Sequence, residues 1–352
     1  MKILHITSSE HTLGGVSQYI LSLGKFLERT GHEVTIAGQR PDWHSDAPHL
    51  TWVEVPTSGN PMEMFKSVQR LKRLGSFDLV HAHFRKCAIV GRQIAKSQNI
   101  PMVYTLHLPK VPMSFWQRKL TDFGDITHVP SIKSRDWLVN CLGVDESKIH
   151  LVPHGVDTLK YSISTDEERK QARDFLGLDQ DATVAAYVGR FDHPKNENWI
   201  ADLARQMPNV SFVMMGAGPR QHLLNDAPVT LLPYGDPVLL YRAMDALLLP
   251  SSNEGFSLVT AEAMSTGRPV LRTRTDGVDE TILEGHNGYS CDIDRDDFIR
   301  SSKEFLSNRQ ELRRLGKFAA GFARKFLDEK LQFEQTMKMY KMVQIQYSQD
   351  HK

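Results

Sequence analysis

The stretch of this sequence best equipped for chemistry is Pro250-Ser251-Ser252-Asn253-Glu254-Gly255-Phe256-Ser257-Leu258-Val259-Thr260-Ala261-Glu262-Ala263-Met264. An apolar strand over Leu247–Leu249 runs into a polar loop and then into a helix spanning Ser257–Ser265. Glu254 falls in the loop, where its carboxylate can accept hydrogen bonds from hydroxyl groups. Gly255, Phe256, Ser257 and Leu258 bring backbone N–H groups to the helix start, where the dipole suits a phosphate. Glu262 lies more than one turn inside the helix and is placed to reach a ribose, as acidic residues do in nucleotide sites. The plainer alternative is a capped amphipathic helix whose carboxylates face water.

Other groups invite the same question. Val188-Gly189-Arg190 ends a second strand, with Pro194-Lys195-Asn196 just beyond it. Arg190 and Lys195, in one loop, can clamp a diphosphate and neutralise charge building on a leaving group. Two solvated surface cations are the bland reading. Gly14-Gly15 separates the first strand from the first helix, so the backbone there can approach a ligand at a helix N-terminus. A tight turn would explain the same glycines, and the spacing is not GxGxxG, so the dinucleotide fingerprint is absent. His81 and His83 share one strand face. Two histidines without a nearby carboxylate make a poor metal set, and buried or acceptor-lining roles suit them better.

These residues need a scaffold that gathers loops at strand ends. Open parallel sheets do this, binding ligands beyond the carboxyl ends of their strands. The first half of the chain reads as strands over Met1–Thr7, Glu33–Ala37, Leu50–Val55, Leu79–His83, Met102–His107 and Ile126–Val129. Helical patterns lie between them, near Val16–Leu27, Pro61–Leu74, Cys87–Gln98, Ser114–Phe123 and Ile132–Leu142. A second series follows His154-Gly155-Val156-Asp157. Glu167–Leu176 reads as a helix and Thr183–Val188 as a buried strand, and Gln221–Leu224, Val229–Leu232 and Val238–Ala243 continue the alternation. Gly267 and Pro269 close the Ser257–Ser265 helix, Pro269–Arg272 is a strand, and the pattern is helical from Asp296 onward. The expected fold class is α/β, with two Rossmann-like domains.

Bulk properties exclude several classes. The chain has 352 residues and a formal net charge of +1, which argues against a dedicated nucleic-acid binder. Its 40% hydrophobic and 24% charged residues rule out global disorder. Cys87, Cys141 and Cys291 lie far apart without a CxxC, which speaks against a disulfide scaffold or thiolate zinc site and for a reducing compartment. The Met1–Thr7 segment is too short and polar for a signal-peptide core, and no apolar run approaches a membrane span.

Taken together the motifs resemble those of the retaining glycosyltransferases of family 4. Glu254 and Glu262, with seven residues between them, match the family's EX7E motif. Gly14-Gly15-Val16 is similar to its N-terminal glycine loop, Gly31-His32-Glu33-Val34 to its strand entry, and Asp78-Leu79-Val80-His81-Ala82-His83 to its histidine-bearing strand. His154-Gly155-Val156-Asp157 resembles its linker, Val188-Gly189-Arg190 with Lys195 its phosphate-binding pair, and Thr266-Gly267-Arg268-Pro269-Val270 the sequence closing its EX7E helix. His154 stands where the family more often has Asn.

The resemblance implies a GT-B fold, two Rossmann-like domains facing each other across a cleft. Residues 1–158 would bind the acceptor and 159–332 the nucleotide sugar, with a C-terminal helix at about 333–352 packing back on the first domain. It further implies a metal-independent, cofactor-free retaining hexosyltransferase. The enzyme would move a sugar from a UDP- or GDP-sugar to a glycan, lipid-linked or small-molecule acceptor in glycoconjugate or polysaccharide biosynthesis. By position, Arg190 and Lys195 would hold the diphosphate, Glu254 with Gly255–Leu258 the donor sugar, and Glu262 the ribose. Tyr234 and Gly235 would lie near the base, Gly14 and Gly15 near the donor, and His107 at the junction of donor and acceptor. Arg190, Lys195, Glu254 and His107 form the implied catalytic set.

Two rival classes remain: another nucleotide-sugar enzyme on the same scaffold (an epimerase or a phosphorylase), and a non-catalytic binding protein. The expected location is cytoplasmic, with peripheral attachment at the inner face of the membrane as a further expectation. That expectation comes from Met113, Phe115 and Trp116 beside Arg118 and Lys119, and from the cluster Lys66, Arg70, Lys72 and Arg73. The alternative there is a helix packed by its aromatics with its cations in water.

Overall fold

Runs such as Leu79-Val80 and Leu247-Leu248-Leu249 are apolar on both sides, the pattern of strands covered on two faces. The computed structural model describes residues 1–8, 15–39, 50–57, 59–107 and 113–351. These runs lie at the centres of two parallel sheets, one in each of two compact units: Met1–Pro153 with Gln332–Lys352, and His154–Leu331.

The first unit contains β1 (Lys2–Ile6), α1 (Gly15–Arg29), β2 (Glu33–Ala37), β3 (Thr51–Val53), α2 (Pro61–Lys72), β4 (Leu79–Ala82), α3 (Arg85–Gln98), β5 (Met102–Thr105), α4 (Phe115–Leu120), β6 (Ile126–Val129), α5 (Ile132–Leu142) and β7 (Ile149–Leu151). Its strands run in the order β3-β2-β1-β4-β5-β6-β7, so the direction of travel reverses between β1 and β4. That switch point opens a crevice at the strand ends.

The second unit contains α6 (Asp166–Phe175), β8 (Thr183–Val188), α7 (Asn198–Ala204), β9 (Val210–Met215), β10 (Val229–Leu232), α8 (Val238–Ala243), β11 (Ala246–Leu249), α9 (Leu258–Ser265), β12 (Val270–Thr273), β13 (Gly288–Cys291), α10 (Arg295–Leu306) and α11 (Arg309–Phe326). Its order is β10-β9-β8-β11-β12-β13, with the switch between β8 and β11. A last helix, α12 (Glu329–Asp350), returns to the first unit, where Phe333, Met337, Met339, Tyr340 and Val343 join the core around Ile3, Leu79 and Val103.

Local chemistry explains the main boundaries. Asn60 caps α2 by accepting the Met62 N–H, with Pro61 at the first helical position. Thr165 and Glu168 form a capping box at α6. A buried ion cluster secures the base of the second sheet: Arg169 and Arg173 donate to Asp245 at 2.6 and 2.8 Å, and Asp245 also accepts the Val184 N–H.

The sequence pattern missed two edge strands. β7 is only half-buried, and β13, Gly-Tyr-Ser-Cys, lacks an apolar run. The stretch Gln221–Leu224 is one turn of 3-10 helix, and Leu50–Val55 shortens to β3. The α4 helix corrects another reading. Its aromatics are not packed: Phe115 is 62%, Trp116 68% and Leu120 76% exposed, and none of its residues is buried. Lys110, Val111 and Pro112 lie outside the described residues. Among the described residues, no helix is long and apolar enough to cross a membrane.

Candidate functional site

At the second unit's switch point, the loops after β8 and β11 are tied together. His193–Lys195 forms a short 3-10 turn, followed by Asn196 in a left-handed conformation at φ 49°. The Asn196 side chain donates to the Pro250 carbonyl at 2.9 Å, and the Ser252 N–H donates to the Pro194 carbonyl at 2.7 Å. These bonds bring the Lys195 ammonium within 2.6 Å of the Glu254 carboxylate. The two side chains are only 21% and 11% exposed. Burial alone would raise the Glu254 carboxyl pKa, but Lys195, with a further contribution from Arg272, outweighs it, and the net shift is downward.

Glu254 leads directly into α9. Ser257 takes the N-cap position without capping through its side chain, and the hydroxyls of Ser257 and Thr260 are both buried without a hydrogen-bond partner among the described residues. Orphaned buried hydroxyls in the first turn of a helix, just after a loop that carries a paired cation, are what a phosphate-binding pocket would leave in place. Arg190 lies at the end of β8, half-exposed, with its guanidinium 2.8 Å from Asp192.

Two supports escaped the sequence reading. Arg272, on β12, is fully buried and grips the following loop, donating to Thr275 Oγ1 at 2.7 Å and to the Asp276 carbonyl at 2.9 Å. That loop carries Gly277, where a side chain would come within 3.0 Å of the Gly255 carbonyl and Phe256 Cα. On the other side, the Gly216-Ala217-Gly218 loop after β9 presses on the β8 loop, Phe191 N–H donating to Ala217 O at 3.0 Å. A Cβ on Gly216 or Gly218 would collide with the Gly189 or Phe191 carbonyl. A glycine pair at the end of a strand was the available signal. For Arg272, inside an apolar strand, the signal was a lone charge that must find buried partners.

One helical turn on, the buried Glu262 accepts a hydrogen bond from the Tyr241 hydroxyl at 2.7 Å. Burial raises its pKa, partly offset by Tyr241 and Tyr161. Tyr161 lies edge-on to Tyr241 at 5.9 Å, and Lys160, 3.1 Å from Asp236, stands over the Tyr161 ring. Tyr234, half-exposed, is in the loop after β10 with Gly235, and Glu262 helps to raise its phenol pKa after burial. His154, the linker residue, is buried edge-on to Phe256 at 5.6 Å. Thus Arg190, Lys195, Glu254 and Gly255–Leu258 form one group, Tyr234, Gly235 and Glu262 another, and α9 joins them.

Gly14, Gly15 and His107 belong to the other unit. Gly14 lies outside the described residues, and Gly15 begins α1. His107 belongs to a set of five buried histidines with His5, His81, His83 and His128. They share one sheet face, which changes from aliphatic to histidine along each strand: Ile3 to His5, Leu79 to His81 and His83, Val103 through Thr105 to His107, and Ile126 to His128. His5 and His128 went unread, although a polar residue at alternate positions of an apolar strand is a visible signal.

Part of this set has fixed tautomers. The Val152 carbonyl can only accept, so His128 donates to it from Nε2 at 2.9 Å. The neutral ring then accepts at Nδ1 from the Thr105 hydroxyl, whose oxygen accepts from His81 Nε2 at 2.6 Å. His81 Nδ1 in turn accepts from the Tyr340 hydroxyl at 2.6 Å, which fastens α12 to the sheet. Nitrogens of His5, His81 and His83 lie within 4.8 Å of one another. Both His81 nitrogens are committed to the chain, however, so a metal ion there would have to break it.

A family model described as Glycosyltransferase Family 4 matches residues 13–160, and one described as Glycosyl transferases group 1 matches residues 168–322. The chain is 28% identical to a D-inositol 3-phosphate glycosyltransferase of Corynebacterium efficiens, over 89% of this chain and 87% of that protein. It is 27% identical to a protein of the same name from Nocardia farcinica, over 88% of this chain and 82% of that one. Its fold is similar to that of Anabaena HepE, crystallised with UDP and glucose, at a TM-score of 0.84 and 19% identity over 97% of this chain and 100% of that one. It is likewise similar to sucrose-phosphate synthase from Thermosynechococcus elongatus, at a TM-score of 0.82 and 20% identity over 97% and 98% of the two chains. The chain belongs to glycosyltransferase family 4, with a GT-B fold, and is a glycosyltransferase.

The histidine face makes a pH prediction. Burial holds His5 and His107 down at about 3 and His128 at about 4, and keeps His81 and His83 well below 6.5, where these rings titrate in the unfolded chain. Below about pH 6.5 the unfolded chain therefore binds more protons than the folded one, and stability falls as pH falls. Each ring contributes up to ~1.4 kcal/mol per pH unit. Urea titrations followed by tryptophan fluorescence should show the transition midpoint dropping steeply between pH 6.5 and 4.5. A midpoint that stays flat across that range would contradict the buried neutral assignment.

Proposed function

We propose that this glycosyltransferase uses a nucleotide-diphosphate sugar, UDP- or GDP-linked, and transfers the sugar with retention of configuration and without a metal ion. The observation that carries the reading is the Lys195–Glu254 pair just ahead of α9, whose N-cap and first turn carry the Ser257 and Thr260 hydroxyls, buried and partnerless among the described residues. It places a cation, a helix N-terminus and unused donors together, which suits a diphosphate. Arg190 would join the same phosphates by exchanging Asp192 for them. Glu262 and its tyrosines would receive the ribose, with the Tyr234-Gly235 loop near the base. The crystal structures of HepE with UDP-glucose and with UDP and glucose support this choice of donor.

With Glu254 paired to Lys195 and Glu262 held by Tyr241, retention favours transfer on one face of the sugar. The bond from the anomeric carbon to the diphosphate oxygen breaks as the acceptor oxygen bonds to that carbon. The acceptor's proton passes to the departing diphosphate. Arg190 and Lys195 then act by charge already in position, stabilising the leaving group more as it departs than before. The acceptor would be a glycan, a lipid-linked sugar or a small polyol, the last suggested by the relatives' name, D-inositol 3-phosphate glycosyltransferase.

Lys195→Ala should lower kcat by ~100–1,000-fold, as loss of one preorganised charge contact does, while nucleotide still protects the variant against heat. Both enzymes should be assayed in EDTA with a panel of UDP- and GDP-sugars. Unchanged turnover in the variant would remove Lys195 from the reaction, and loss of wild-type turnover in EDTA would refute metal independence.

The exposed Phe115, Trp116 and Leu120 beside Arg118 and Lys119 support a second element of the reading, peripheral contact with anionic lipid through α4. Co-sedimentation with phosphatidylserine vesicles at low salt should be strong, and should fall when Phe115 and Trp116 are both changed to Ser. No binding by the unaltered protein would end the idea.

A further inference from the structure

Three of the buried histidines form a second chain that the Tyr340–Val152 chain does not use. His5 Nδ1 lies 2.9 Å from His83 Nε2, and His83 Nδ1 lies 3.2 Å from His107 Nε2. The rings are near-parallel, at 12° for the first pair and 27° for the second, and Tyr19 lies edge-on to His83 and His107. Neutral imidazole has one donor and one acceptor nitrogen, so the three rings can only run in one direction or the other. In one, protons sit on every Nδ1. In the other, they sit on every Nε2.

The far end decides between them. His5 Nε2 is fully buried and has no hydrogen-bond partner among the described residues. If the chain ran through Nε2–H, that nitrogen would carry an orphaned buried N–H, a group native structures almost never tolerate. A bare acceptor nitrogen is the lesser cost. The direction is therefore His5 Nδ1–H to His83 Nε2, and His83 Nδ1–H to His107 Nε2.

We propose that His83, backed by His5, is a positioning residue that fixes His107 as the Nδ1–H tautomer. His107 then meets substrate as a hydrogen-bond donor to oxygen and not as the base that removes the acceptor's proton. This proposal rests on the reading of His107 as part of the reaction site. It gives the second histidine of the Asp78–His83 motif a task, and leaves the acceptor's proton to the leaving diphosphate. The neighbouring chain runs the other way, with His81 and His128 as Nε2–H tautomers, so the protein carries its own internal control.

The test has a spectroscopic and a kinetic arm. Imidazole 15N–1H correlation spectra of the full chain labelled at histidine, at pH 7.5, should show Nδ1–H for His5, His83 and His107 and Nε2–H for His81 and His128. An Nε2–H signal on His107 would overturn the proposal. In the second arm, His83→Leu removes the donor to His107, while His83→Asn places an amide N–H where Nδ1 stood. His83→Leu should lose ~10–100-fold in kcat, as loss of an orienting partner does, with the donor KM little changed. His83→Asn should recover most of that loss. Equal losses in the two variants would reduce His83 to packing and overturn its positioning role. If His83→Leu fails to fold, the spectra and His83→Asn still decide. Unchanged turnover in His107→Ala would instead refute the reading of His107 as a reaction residue, whatever the spectra show.

Discussion

The second unit is organised around one ion pair, Lys195 with Glu254. The pair joins two loops that leave adjacent strands on opposite sides of a switch point. Its charges are mostly withdrawn from water, and such pairs add little stability on balance, because desolvation consumes much of the Coulombic gain. Its presence is better explained by what it prepares: a cation held in place at a helix start. The surrounding packing serves that end. Arg272 fixes the loop against which Gly255 and Phe256 lie, and Gly277, Gly216 and Gly218 let backbone approach backbone where no side chain would fit.

The two units use one topology for opposite electrostatics. In both, the residues of interest gather where the strand order reverses. The second unit concentrates full charges there and balances them in pairs. The first buries five imidazoles and keeps them neutral, with their hydrogen bonds running in two chains. Neutral rings on the sheet can place donors and acceptors without attracting counter-ions. Their cost is sensitivity to acid, because every proton they refuse when folded is accepted on unfolding.

Much of this was legible in the sequence where a residue's role is local. Glu254 and Glu262 lie in the loop and the helix that follow an apolar strand, so their placement follows from the order of elements. Arg190 and Lys195 follow from the strand that precedes them. What stayed hidden depends on register and on partners distant along the chain. Arg272 reads as an interruption of a strand until its loop closes over it. Tyr241 and Tyr161 become partners of Glu262 only when α8 and the linker pack on α9. His5 and His128 are single letters in short strands, and align with His81, His83 and His107 only once four strands are set side by side. The edge strands β7 and β13 were missed because edge positions do not demand an apolar run.

The central claim is that Lys195, held by Glu254, is a diphosphate site at the start of α9. Calorimetric titration with UDP and UMP, and with GDP and GMP, on the unaltered protein and on Lys195→Ala tests it most directly. The preferred diphosphate should bind the unaltered protein more tightly than its monophosphate, and most of that advantage should vanish in the variant. An advantage that survives Lys195→Ala intact would contradict the account and move the second phosphate elsewhere.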